Sequence, residues 1–174
     1  MRALETAVET VMAYTEAQWT QVAALLGREP RGLEDIPVLD DCGQPRVIRV
    51  ASLVEGKPFP TLFWLVDPAL NYRIDQEEAR GLIKDFQSLV SSEPALQASM
   101  RVDHEAHIRL RDGFLAAGER SALQAAGFSE VLRERGIGGI ADFTRIRCLH
   151  TWYAAHLVVP NTIGGLLDRH WEAR

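Results

Sequence analysis

Hydrophobic positions first recur at helical spacing. Leu4, Val8, Met12, Trp19, Val22 and Leu26 lie on one helical stripe and Gly27 supplies a stop, which predicts an N-terminal helix within 1–27. Gly32, Pro37, Asp40, Asp41, Gly43 and Pro45 then predict an irregular connector. The period shortens to two from Val47 to Val54, and Thr61 to Val66 is aromatic and β-branched. Between them stands Glu55-Gly56-Lys57-Pro58-Phe59-Pro60, so 45–67 reads as a β-hairpin with a stiff, proline-rich turn.

Beyond Pro68 the pattern is helical. Asp75 and Glu78 resemble a capping box opening a helix that reaches about Val90. Ser92-Glu93-Pro94 opens a second helix, to about Ala117, since proline suits a first turn. A short helix near Ser129–Arg135 ends at Gly136-Ile137-Gly138-Gly139, and a buried helix from about Thr144 to Val159 is stopped by Pro160. Ile163 to Trp171 reads as a last amphipathic helix. These elements predict a mainly helical α+β fold, a single domain over 1–174, with one small β-hairpin or short antiparallel sheet and a helical part over 75–172.

Composition narrows the class. Apolar residues make up 47% and charged residues 25%, a globular balance, and no run approaches the ~20 apolar residues of a membrane span. Met1 to Glu9 has no apolar signal core, and Cys42 and Cys148 are the only cysteines, so the expectation is a cytoplasmic protein with reduced thiols. A net charge of -5 without a basic block argues against duplex nucleic acid as a partner. A local anion site stays open, since all basic residues but Lys57 and Lys84 are arginine.

All five histidines lie beyond residue 100. On the helix after Pro94, His104, His107, Arg111 and Phe114 fall within about 40° of Met100. Two histidines and an arginine thus share the stripe that should face the core, where polar groups are costly unless paired. Either they line a cleft, with Arg111 holding an anion and His104 as acid or base, or they form a satisfied interior network. The glycine cluster ahead of Arg145 and Arg147 offers a second anion site, for phosphate or carboxylate, with Lys57 and His107 as further contacts. A flexible turn with solvated arginines is the alternative there.

Four pieces, in order, resemble one bacterial family, Domain of Unknown Function 501. They are Gly56-Lys57-Pro58-Phe59-Pro60-Thr61; His104-Glu105 followed by Arg111-Asp112; Gly138-Gly139 leading to Arg147-Cys148-Leu149-His150 and Ala155-His156; and Asn161 with Gly164. The resemblance implies a setting beside a septum-formation initiator and an exopolyphosphatase-type phosphatase. The chain departs from that pattern at Asp40, where the family has cysteine, and at His107, where it usually has tyrosine.

A metal is the third candidate chemistry. Cys148 and His156 are about 12 Å apart along a continuous helix, too far for one zinc. His150 projects about 160° from Cys148 in a regular helix. The expected zinc set is therefore Asp40, Cys42 and Cys148, with His104 as the fourth ligand. Cys148 as a nucleophile with His150 or His104 as base is a further option, and plain burial of the thiol another. Two function classes follow: an Arg/His-lined pocket for a small phosphate-like anion, with or without catalysis, and a non-catalytic accessory protein acting through protein contacts or a homo-oligomer, its Cys/His/Asp set holding a structural zinc or nothing.

Overall fold

The computed structural model describes residues 13–174. Leu4, Val8 and Met12 of the expected first helix lie outside them. The remainder forms α1 (Glu16–Leu26), where Thr15 and Gln18 close a capping box and Gly27 ends the helix in the left-handed region.

Five strands follow. β1 (Leu33–Leu39), β2 (Pro45–Val50) and β5 (Phe63–Leu65) make an antiparallel sheet in the order β1-β2-β5, and β3 (Leu53–Val54) pairs with β4 (Lys57–Pro58). The expected hairpin is present as the β2–β5 pairing, Val47 opposite Leu65 and Ile48 opposite Trp64. Its stiff turn forms the β3–β4 hairpin around Glu55 and Gly56, both at positive φ. The connector is a correction, for much of it is β1. Register shifts on both sides of Asp35–Val38 break the strict alternation by which strands are recognised.

Eight helices are described in all, the remaining ones being α2 (Pro68–Ala79), α3 (Leu82–Ser92), α4 (Pro94–Phe114), α5 (Ala117–Ala125), α6 (Ser129–Arg133), α7 (Leu149–Val158) and α8 (Thr162–Glu172). The helix expected from Asp75 begins instead at Pro68, because Asp67 caps it by accepting from Ala69 and Leu70. It breaks at Gly81, whose φ of 92° no helix accommodates. Helix α5 had no sequence counterpart, since it buries only Leu123.

The sheet separates two cores. Val47 and Phe63 face the helices, packing with Ile74, Phe86, Met100, Trp152 and Leu167, while Ile48, Val50 and Val66 pack with Val22 of α1 and with Leu33. The fold is thus the expected mainly helical α+β domain with a small antiparallel sheet.

One charged side chain ties these parts together. Arg111 of α4 is fully buried and donates to the Pro60 carbonyl ahead of β5 at 2.8 Å, to that of Leu132 in α6, and to that of Arg135 at 2.7 Å. Burial lowers its pKa from the ordinary arginine value, and Asp112 offsets part of that. Truncation would strand the Pro60 and Arg135 carbonyls, leave that of Leu132 with only its weak backbone bond, and open a cavity. We therefore expect Arg111→Ala to lose about 3–5 kcal/mol of unfolding free energy in urea titration, with Arg111→Lys recovering only part. A loss below about 1 kcal/mol would refute this role.

Candidate functional site

The polar stripe of α4 lies where the helical period puts it: Met100, His104, His107 and Arg111 are the buried residues of this helix. The partners of His104 and Arg111 are those of an interior network. His104 Nδ1 accepts from the Ile137 amide at 2.9 Å, so the ring proton resides on Nε2, and the ring stacks on Phe143 and meets Trp152 edge-on. The backbone at Gly136 passes so close that a Cβ there would stand 2.2 Å from Nδ1. Burial, helped by Arg101 and opposed by Asp142, pushes the pKa of His104 down to about 4. Burial, with Arg111 and His104 nearby, pushes His107 down to about 3.

The expected anion ligands do not meet in one space. Both terminal nitrogens of Arg111 are committed to carbonyls. Arg145 is exposed and lines a shallow depression with Lys84 and Gln87, whereas His107 lines a separate cavity. Arg147 is exposed, and so is Lys57 on the β3–β4 hairpin.

The helix expected from Thr144 starts only at Leu149, a correction with consequences. Asp142 accepts from the amide and hydroxyl of Thr144, and the Gln87 side chain bonds the Thr144 carbonyl and the Ile146 amide. These bonds hold the segment out of the helix and leave Cys148 extended as the N-cap of α7 (φ -154°, ψ 124°). In that conformation Cys148 Sγ comes within 3.6 Å of His150 Nδ1, the pair that a regular helix would separate.

Helix α2 completes the group. Glu78 Oε1 accepts from the Leu149 amide at 2.6 Å and stands 3.4 Å from His150 Nδ1. His150 Nε2 faces Asp75 Oδ1 and the Asn71 carbonyl, each at 3.3 Å. The Cys148 contact is the largest influence on His150; with Glu78 and Asn71 it outweighs desolvation and raises the pKa to about 9. Among the described residues, Glu78, Cys148 and His150 form the one group of three potential ligands whose donor atoms lie within 4.8 Å of one another. Asp40 and Cys42 do not join it. Asp40 Oδ1 instead accepts from the amides of Cys42 and Gln44, closing the β1–β2 turn with Cys42 exposed. Glu78 and Asp75 were missed because they read as a cap. The usable signal was the spacing Asn71, Asp75, Glu78, which is one face of a helix.

The two other histidines are paired elsewhere. His156 Nδ1 accepts from the Asn161 amide while Nε2 bonds Asp168, which also accepts from Tyr153, and a Cβ at Gly164 would meet the His156 ring at 2.1 Å. His170 Nε2 joins Arg174 on the buried carboxylate of Glu77. Burial would raise the Glu77 pKa, but these neighbours, with Arg80, lower it overall.

Fold and site define an α+β domain with a thiol, an imidazole and a carboxylate converging at the start of one helix. By sequence the chain belongs to the family described as Protein of unknown function (DUF501), whose model matches residues 36–169. No curated protein and no solved structure matches it. No helix among the described residues is long and apolar enough to cross a membrane.

The buried histidines set a pH dependence. Their folded pKa values of about 4 and about 3 lie below the ordinary 6.5, so below pH 6.5 the unfolded chain binds protons that the folded chain refuses. Stability should fall as pH drops from about 6.5 toward 4, by up to about 1.4 kcal/mol per pH unit for each histidine. Urea titrations between pH 7 and 4 should give a shallower decline for His107→Phe; equal slopes would show that His107 is not one of the groups responsible.

Proposed function

We propose that this chain is a metal-binding member of its family, holding one zinc ion through Cys148 Sγ, His150 Nδ1 and Glu78 Oε1. The observation that carries the reading is the spacing of the donors. Tetrahedral zinc with bonds near 2.0–2.3 Å separates sulfur from nitrogen by about 3.6 Å and nitrogen from oxygen by about 3.3 Å. The corresponding separations here are 3.6 and 3.4 Å.

The surroundings favour the same reading. Asp75 and the Asn71 carbonyl stand where they can hold the Nε2 proton, which leaves Nδ1 for the metal, and the Leu149 amide orients the Glu78 carboxylate. Thiolate and imidazole together suit zinc over magnesium or calcium. Three protein ligands leave a fourth position for water or an anionic group, the arrangement that polarises a substrate or activates water. Arg147, adjoining the thiol ligand and in no ion pair among the described residues, suits a phosphate-like group there. His104 and Arg111 are assigned no chemical step, since their bonds serve the interior.

Mass-spectrometric metal analysis of untagged full chain should find about one zinc per molecule. Titration of the metal-depleted chain should show affinity weakened about 100-fold in Cys148→Ser and roughly tenfold in Asp75→Asn, with Cys42→Ser unchanged. Cobalt substitution should give a thiolate charge-transfer band that disappears in Cys148→Ser. Absence of metal, or equal dependence on Cys42 and Cys148, would sink the proposal.

A further inference from the structure

A cavity of about 380 Å³ lies between α4 and the start of α8, and none of its lining residues belongs to the thiol cluster. Its wall is mainly apolar, with Phe63, Leu110, Ile137 and Val159 among the contributors. That volume and lining are typical of small-molecule sites, where a few polar groups set orientation.

The polar groups sort into spent and unspent. Asn161 accepts from the Gly164 amide and donates to the Trp152 carbonyl, and Asp103 accepts from the Thr162 amide, so both serve the first turn of α8. His107 Nε2 is buried without a hydrogen-bond partner. Arg109 is exposed and makes no ion pair among the described residues; with the half-exposed Val159 it marks the mouth. The N-terminal partial positive charge of α8 offsets the Asp103 carboxylate that caps it, so Arg109 is the uncompensated charge of the lining and favours an anionic end in a guest.

We propose that this cavity binds an acidic amphiphile, a small molecule with an aliphatic or aromatic body and a single carboxylate. The body lies against Phe63, Leu110 and Ile137, and the carboxylate meets Arg109 at the mouth. Ring burial keeps His107 uncharged near neutral pH, so the interior offers a hydrogen-bonding group but no second cation. A second carboxylate at the far end of the guest would be buried unpaired. This site is independent of the proposed zinc centre, and each can fail alone.

Calorimetric titration of the full chain with octanoate, octylamine and octanedioate tests it. Octanoate should bind one per chain, octylamine should not bind, and octanedioate should bind at least about tenfold more weakly. Arg109→Gln, a surface change, should weaken octanoate about tenfold. Ala106→Trp, which fills the cavity, should abolish binding; if circular dichroism shows it unfolded, Val159→Trp at the mouth serves instead. The proposal is overturned if octanoate does not bind, if octylamine binds as well, if Arg109→Gln leaves octanoate affinity unchanged, or if a folded cavity-filling variant retains it.

Discussion

One buried guanidinium sets the geometry of this domain. Arg111 has no carboxylate partner among the described residues; it is solvated by backbone carbonyls at Pro60, Leu132 and Arg135, which come from the link between β4 and β5, a short helix and the residue that leads into the glycine segment. A charge so far from water tolerates little displacement, because each lost carbonyl leaves the cation less well solvated. The three segments are therefore held around α4. The glycine segment in turn supplies the Ile137 amide to His104 and the Ile137 side chain to the cavity wall. The planar fork suits this, since a lysine ammonium cannot span acceptors so placed.

The α4 stripe was legible because a long helix with one buried face keeps its period in the sequence, and His104, His107 and Arg111 obey it as Met100 does. Whether such groups meet a ligand or each other depends on partners remote in the chain, and periodicity carries no information about those. Thr144–Cys148 misread for a related reason. Its composition suits a helix, but Gln87, from another helix, occupies the backbone groups that the helix would need. Strand β1 was hidden by its irregular register, and Glu78 because the amide it serves lies 71 residues downstream.

That displaced helix start is what creates the candidate centre. An extended Cys148 turns its sulfur toward His150, and the carboxylate that caps α7 is the one that joins them. Glu78 thus serves two roles, neutralising a helix N-terminus and offering a donor oxygen. In the proposed zinc centre, metal binding and the alignment of α7 would be coupled through a single side chain, so occupancy would bear on the packing of Trp152 and Tyr153 in the same helix.

The contacts of Gly136 with His104 and of Gly164 with His156 limit how such a sequence can drift over generations. At each glycine even a methyl group would overlap an imidazole whose nitrogen holds a backbone amide. Neither glycine can be replaced while its histidine stays, and losing the histidine first leaves an amide unanswered. A lineage leaving either pair must therefore change both positions together, a double step that mutation supplies rarely.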